Sequence, residues 1–327
     1  MSFVTNRGRC AIAAFTIVVA LAGPTVTPNA LASRDRSSLL GGEWKLGEHD
    51  DGRLTLILRY SIGGRSQGDW GRTIQVSDAR GLRADAFLSP GPVTFEIVRD
   101  AGTFACRGSM AKHGGTGTFE FQPDAEFARV LEARGVGRPT AQQEIRLALS
   151  HVRVKLIDAL EDGGYPKPDV ETLVELGDHG VSIEYVTELT AAGYRLRTLP
   201  RLLEARNHGV TAEFARGLAA AGYPNLDYDR LLEARDHGVT PKYIDELAQV
   251  GYTRLTYEQV REARDHGVTR GFVVSLADAG FRDLPFDTVV RARDHGLNGR
   301  RARRARNALG PKAGIDDVID WVDRGGR

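Results

Sequence analysis

The sequence predicts an α+β protein, in which a small antiparallel β sandwich or barrel precedes an all-α solenoid of 29-residue helical hairpins. Two observations lead to this prediction. Residues 41–123 alternate between apolar and polar side chains with the period of two that half-buried strands show. After them, a phrase built around Asp-His-Gly or Asn-His-Gly recurs at a constant step, which is typical of a stacked repeat array. Its histidines are His179, His208, His237, His266 and His295.

Residues 1–32 resemble a secretory signal peptide. Two arginines precede a short apolar run at residues 11–22, and a small-residue motif ends at Ala32. We expect cleavage between Ala32 and Ser33, and hence a protein that is exported to the periplasm or secreted. An uncleaved membrane anchor is the alternative, but the apolar run is short for a helix that spans a bilayer.

The overall charge favours no particular class of partner. The chain has 44 basic and 43 acidic side chains, which gives a formal net charge of +1 at pH 7. Global charge therefore gives no indication of binding to nucleic acid or membranes. Beyond the predicted signal peptide the only cysteine is Cys106, so no internal disulfide can form there. Its place between Phe104 and Gly108 on a predicted strand indicates a buried, inert thiol.

Residues 41–123 are predicted to form five to seven antiparallel strands. Trp44 and Trp70 are expected to anchor the core of this β domain. Hairpin turns are predicted at residues 100–102 and 113–115, where glycine follows polar or small residues.

The segment at residues 63–71 is rich in glycine and is predicted to be a flexible loop. It lacks the G-x-x-x-x-G-K-[ST] order that a phosphate-binding loop requires, so no nucleotide site is indicated.

The rest of the chain is predicted to be helical. We expect a connecting helix at residues 124–138, the helical repeat array at residues 139–310 and a C-terminal capping helix at residues 311–327. The first copy in the array is atypical, as terminal repeats often are.

One copy of the repeat contains two short helices, each ended by a glycine. In the copy at residues 227–252, apolar side chains follow the i, i+3, i+4 spacing of an amphipathic helix as far as Gly238. Thr240 is expected to cap a second helix, with Pro241 at its first position, and Gly251 is expected to end it. Helices of this length are stable only when they pack against neighbouring copies.

Each copy carries a histidine and a glycine at the end of its first helix, and we interpret them as structural caps. A metal site or a pH switch is the alternative interpretation. Metal–imidazole bonds of about 2.0–2.1 Å are much shorter than the roughly 8–10 Å expected between neighbouring copies, so adjacent histidines cannot share one ion. The predicted caps are His179, Gly180, His208, Gly209, His237, Gly238, His266, Gly267, His295 and Gly296.

The segment at residues 299–306 is strongly basic. It aligns with the second helix of a copy, and we interpret it as the end of the array, where a solenoid needs a polar outer face for solubility. Weak contact with an anionic lipid or polysaccharide surface is the alternative, whereas export makes nucleic acid an unexpected partner. The arginines available for such a contact are Arg300, Arg301, Arg303, Arg304 and Arg306.

Several motifs carry a family resemblance. The repeat motif G-V-[ST]-x-x-[YF] followed by A-G-Y resembles a repeat of uncharacterised exported bacterial proteins. The stretches RDAGTF (residues 99–104), GTGTFEF (residues 115–121) and F-x-x-x-L (residues 127–131) resemble the domain that precedes the repeat in those proteins. Some of these regions are similar to extracytoplasmic parts of transmembrane metallopeptidases of the beta-lactam-sensing type. This chain has no H-E-x-x-H motif, so the resemblance does not imply peptidase activity here.

The function predicted from these features is that of an exported, non-enzymatic protein-binding scaffold in envelope sensing or regulation. Repeat arrays present extended surfaces to partners, and loops can vary without disturbing the packing of the helices. The loops that follow each Gly-Tyr pair, such as residues 195–197, 224–225 and 253–254, are therefore expected to carry the binding specificity.

An enzyme with its site in the β domain is the alternative function. The sequence shows no G-x-S-x-G elbow, metal-spaced cluster or phosphate loop, so no catalytic, cofactor-binding or metal-binding residue is predicted. Polar residues of this region, namely His49, Asp50, Asp51 and His113, are expected to lie in solvated loops. A catalytic triad assembled from distant residues would leave no such signature.

Overall fold

The computed structural model describes residues 40–48, 53–62 and 65–326. Its architecture is α+β, as predicted: an antiparallel sheet comes first and helices follow it. The strands are β1 (Gly41–Glu48), β2 (Leu54–Ile62), β3 (Arg65–Ile74), β4 (Ala79–Arg80), β5 (Gly91–Arg99), β6 (Gly102–Ala111) and β7 (Gly114–Pro123). They form one seven-stranded half-barrel in the order β3-β2-β1-β7-β6-β5-β4.

The two predicted hairpin turns are confirmed. Strand β5 pairs with β6 up to the Arg99–Gly102 pair, and β6 pairs with β7 up to the Ala111–Gly114 pair. In the second turn His113 has a φ of 69°, a left-handed conformation that tight hairpins require.

The prediction of a flexible loop at residues 63–71 is wrong, because β3 begins at Arg65 and runs through most of it. This strand pairs with β2, and the Arg59 guanidinium of β2 donates to the Asp69 carboxylate across the pair at 2.8 Å. The register shifts between Tyr60 and Ser61, beside Gly68. Pairing with β2 therefore holds a segment whose own composition favours a loop.

The buried face of the sheet is organised around Trp44, which is 1% exposed. Its indole nitrogen donates to the carbonyl oxygen of Arg107 at 3.1 Å, and the Phe95 ring meets it edge-on at 5.0 Å between centroids. Gly117 and Gly108 lie in the next two strands of the same row, and the absence of a side chain at both positions leaves the space that the indole ring occupies.

The other predicted anchor, Trp70, is half-buried on the edge strand β3 and packs against the rim of the core. The guanidinium carbon of Arg72 lies 5.6 Å from the centroid of its ring. Trp70 therefore contributes to the edge of the sheet, whereas Trp44 fills its centre.

The helices that follow are short and regularly spaced. From residue 170 onward the first helices of the copies start at a constant step, up to and including the last helix of the described chain. The helices are α1 (Ala125–Ala133), α2 (Ala141–Leu149), α3 (Lys155–Asp162), α4 (Val170–Asp178), α5 (Ile183–Ala191), α6 (Leu199–Asn207), α7 (Ala212–Ala220), α8 (Tyr228–Asp236), α9 (Pro241–Ala248), α10 (Tyr257–Asp265), α11 (Arg270–Asp278), α12 (Phe286–Asp294), α13 (Gly299–Leu309) and α14 (Ile315–Asp323).

Local chemistry explains where these helices begin and end. The Thr240 hydroxyl accepts a hydrogen bond from the Tyr243 amide at 3.1 Å, and Pro241 is the first residue of α9. At the end of α8, Gly238 has a φ of 68°, and the Val239 amide donates to the Ala234 carbonyl at 2.8 Å. Glycine adopts this left-handed conformation without the steric cost that a side chain would impose.

The sheet and the first helices share one continuous core. At the junction the Asp124 amide donates to the Ala101 carbonyl at 3.1 Å, and the Asp100 carboxylate accepts from the Val154 amide at 3.1 Å. Within the described part of the chain, no helix is both long and apolar enough to cross a membrane.

Candidate functional site

The structure describes most of the residues singled out above. Ala32 and Ser33, the predicted cleavage site, lie outside the described residues, as do His49, Asp50 and Asp51. His113 is exposed in the turn between β6 and β7, with its Nδ1 atom 3.1 Å from the Glu48 carboxylate.

The five repeat histidines lie at the C-caps of α4, α6, α8, α10 and α12. Each side chain is directed to the copy that follows, where Nδ1 meets an oxygen of the Asp or Asn 28 residues further on. We call these contacts the histidine ladder. Its pairs are His179–Asn207 (2.6 Å), His208–Asp236 (2.5 Å), His237–Asp265 (2.6 Å), His266–Asp294 (2.5 Å) and His295–Asp323 (2.9 Å). The histidines therefore link consecutive copies in addition to ending a helix.

A second series of contacts connects an aromatic ring in one copy with an arginine in the copy that follows. The guanidinium lies over the ring, an arrangement that the ring quadrupole stabilises. The same arginine side chains lie beside the cap glycines Gly180, Gly209, Gly238 and Gly267. The pairs are Arg206–Tyr185 (5.2 Å), Arg235–Phe214 (4.1 Å), Arg264–Tyr243 (5.0 Å) and Arg293–Phe272 (5.2 Å).

Tyrosine hydroxyls form a third series. Tyr194, Tyr223 and Tyr252 of the Gly-Tyr pairs each donate to a backbone carbonyl 32 residues further on, at 2.8–2.9 Å. The repeated His, Arg and Tyr side chains thus serve contacts between copies, and the chemistry available to a ligand must be sought where the copies differ.

The histidine ladder is expected to make the stability of the fold depend on pH. The hydrogen bond that His266 donates to the Asp294 carboxylate raises the pKa of His266 above its ordinary value of 6.5. A raised folded-state pKa means that this pair stabilises the fold fully below about pH 6.5, and that the contribution is lost as the pH rises through the raised pKa. We expect Asp294→Asn to lower the pKa of His266 towards its ordinary value, as measured by NMR titration of the imidazole ring.

The His179–Asn207 pair shows that an amide fits this position, so the Asp294→Asn variant should keep its fold. An identical titration midpoint for His266 in the wild type and the variant would contradict the role given to Asp294.

The five arginines of the basic segment lie on α13 and fall into two groups. Arg301 donates to the Gly296 carbonyl at 2.9 Å, and Arg306 donates to the Ala279 carbonyl at 3.1 Å. The side chains of Arg300, Arg303 and Arg304 are exposed, and none of these guanidinium groups has a hydrogen bond or ion pair within the described residues. Their i, i+3, i+4 spacing places these three on one face of the helix.

A groove with a volume of about 440 Å³ is lined by α11, by the segments that follow α9 and α11, and by α12. Leu276, Phe281 and Val289 are buried at this site. Val250 and Val273 are half-buried in its wall. A volume of this size is in the range of small-molecule and side-chain binding sites.

A hydrogen bond joins the two loops that contribute to the groove. The Tyr252 hydroxyl donates to the Leu284 carbonyl at 2.8 Å, which ties the loop after α9 to the loop after α11. Arg282 and Asp283 are exposed at the groove, and Asp283 adopts a φ of 52°. The loop after Gly280 and Phe281 therefore lines this groove, whereas residues 195–197, 224–225 and 253–254, which the sequence indicated for specificity, do not.

Val274 lines the groove, and nothing in the sequence analysis singled it out. It is 37% exposed, and it is one of four exposed large hydrophobic side chains in the described residues. The equivalent positions in α5, α7 and α9 are Thr187, Arg216 and Asp245, which are all polar. Aligning the copies by their period shows this difference, which is the signal that would have found the groove.

The described residues contain no group of three or more His, Cys, Asp or Glu side chains arranged to hold a metal ion. Cys106 is buried in the β domain, and burial raises the pKa of its thiol to about 12, which keeps it protonated and unreactive. The groove offers apolar contact and a charged rim, a combination that suits binding.

Neither a protein-family model nor a curated protein sequence matches this chain.

Proposed function

We propose that this chain is an exported, non-enzymatic binding protein, in which the helical repeat region is a solenoid of helical hairpins that holds a protein partner. The resemblance to exported bacterial repeat proteins belongs to the same proposal, as does a role in envelope sensing or regulation. The observation that carries it is the groove beside Val274, an exposed apolar site on a region whose equivalent positions are otherwise polar.

The residues of the groove fit the way proteins recognise each other. Binding interfaces commonly place an apolar anchor in a pocket and surround it with polar groups. Here Val250, Val273 and Val274 form the apolar surface, and Arg282 and Asp283 form the polar rim. An apolar side chain of a partner would remove this surface from water, at about 25 cal/mol for each Å² buried.

Photo-crosslinking of the full chain tests the proposal. A photoreactive amino acid in place of Arg282 reports on the groove, and the same amino acid in place of Arg195, the equivalent position three copies earlier, is the control. In the native envelope fraction we expect a single crosslinked protein from position 282 and none from position 195. The captured protein is then purified for affinity measurements.

Val274→Asp is expected to weaken binding of the purified partner at least tenfold, since a carboxylate would have to be desolvated against apolar side chains. Asp245 occupies the equivalent position in α9, so the substitution is compatible with this type of helix. Thr187→Asp, at the same position of α5, should leave the affinity unchanged. Isothermal titration calorimetry gives both values.

Two results would overturn the proposal. One is a partner that binds Val274→Asp as tightly as the wild type, and the other is a partner or small molecule that binds only to residues 41–123.

A further inference from the structure

The arginine face of α13 has no counter-charge within the described chain. The guanidinium groups of Arg300, Arg303 and Arg304 are exposed and form no ion pair with a described residue. The carboxylates of the following helix, α14, are already engaged. Their contacts are Asp316 with Arg291, Asp317 with the Gly314 amide, Asp320 with Arg324 and Asp323 with His295.

This face adjoins the groove. Helices α11 and α13 are in contact, since a side-chain carbon at Gly299 would lie 2.7 Å from Ser275 Cβ. Arg303 follows Val274 by one full period of the repeat, so the two occupy equivalent positions on neighbouring helices. Such helices lie about 8–10 Å apart.

Arg306 shows more directly that α13 lies beside the groove. Its guanidinium carbon lies 5.2 Å from the centroid of the Phe281 ring, and Phe281 lines the groove. Arg303 precedes Arg306 by one helical turn. Arg282, on the rim of the groove, provides a further guanidinium group, and it too has no ion pair within the described residues. A peptide seated in the groove would therefore meet guanidinium groups along the side towards α13.

We propose that the partner presents an acidic peptide segment, in which an apolar side chain fills the groove and flanking carboxylates bind the arginine face. This inference rests on the proposed function, because it assigns the chemistry of the same partner. Guanidinium groups form paired hydrogen bonds with carboxylates, and charges of opposite sign steer the partner to the site. The apolar groove beside the arginines favours a protein segment over a nucleic acid or a lipid surface, which would use the charges alone.

The test is a selection from a random twelve-residue peptide library displayed on phage, with the full chain as target. The wild type should select peptides with an apolar anchor flanked by Asp and Glu. The variant with Arg300→Gln, Arg303→Gln and Arg304→Gln should select the anchor without the acidic residues. Val274→Asp should select neither.

Fluorescence anisotropy with the tightest-binding selected peptide measures how much each substitution changes the affinity. The triple arginine variant should bind it about tenfold more weakly at low salt, because three exposed charge contacts are each worth a small factor. The difference should shrink at high salt. Arg216→Gln, at the position of α7 that corresponds to Arg303, is the matched control and should bind normally. Far-UV circular dichroism checks that each variant is folded.

The outcomes separate the two proposals. A wild type that selects no peptide dependent on Val274 would overturn both the groove function and this inference. Peptides that depend on Val274 but show no acidic preference, or an acidic preference that survives in the triple variant, would overturn the inference alone. Acidic peptides that depend on the arginines and not on Val274, together with equal displacement by heparin, would show general polyanion binding and would also overturn it.

Discussion

Gly117→Ala is expected to destabilise the β domain by about 3 kcal/mol, the upper end of the usual cost of overpacking a core. A β-carbon at this position would lie 2.1 Å from the Arg107 carbonyl oxygen and 2.7 Å from the Trp44 ring. The carbonyl belongs to a paired strand and accepts the indole hydrogen bond, so neither neighbour can move away cheaply. Urea unfolding followed by tryptophan fluorescence measures the loss.

Gly47→Ala is the matched control for this experiment. Gly47 lies on β1, the strand of Trp44, and a β-carbon there would meet no atom within 4 Å. We expect its free energy of unfolding to stay within about 0.5 kcal/mol of the wild type, as for most surface substitutions. Equal destabilisation by both substitutions would show that loss of glycine in a strand matters and that the space beneath Trp44 does not.

Leu231→Ala is expected to lower the free energy of unfolding of the helical region by about 3 kcal/mol, in the range measured for leucine truncation in cores. Leu231 is fully buried in α8. The positions one repeat before and after it hold Leu202 and Val260, which are 0% and 1% exposed. The cavity would thus open in a continuous column of buried aliphatic side chains. Thermal unfolding followed by far-UV circular dichroism reports the change.

Leu232→Ala provides the comparison on the same helix. Leu232 is half-buried, so its truncation removes less apolar contact and leaves a site that water can fill. We expect roughly half the effect of Leu231→Ala. A larger effect at Leu232 than at Leu231 would contradict the burial pattern of α8.

The helix ends are predictable from sequence because their chemistry is local. The cap at Thr240, the proline at the start of α9 and the left-handed Gly238 each involve contacts within a few residues. The alternation that predicts the buried face of β5 and β7 is equally local, since successive strand residues face opposite sides. These signals can be read without knowing which elements are neighbours.

Strand β3 is hard to predict because its evidence is not local. Gly68 and Gly71 weaken any strand signal within the segment, and the pairing of Asp69 with Arg59 becomes visible only when β2 lies beside it. Intrinsic preference for the strand conformation depends on such neighbours.

The candidate site is predictable only in outline, for the same reason. The sequence indicates that the loops after the Gly-Tyr pairs carry specificity, and the loop at Arg282 does line the groove. The role of Val274 depends on which helices surround it. The histidine contacts likewise join residues 28 positions apart in consecutive copies, so the sequence of a single copy does not reveal them.

The three series of contacts between copies have a consequence for how such a chain can change during evolution. Each copy offers the same acceptors and donors to the copy after it that it receives from the copy before, as in the ladder from His208 to Asp236 and from His237 to Asp265. Duplication or loss of one whole unit of the repeat therefore keeps the spacing on which these contacts depend, whereas an insertion of another length changes that spacing for the contacts that span it. The number of repeat units between the sheet and the groove can therefore change by whole units while neighbouring units keep the same kind of contact.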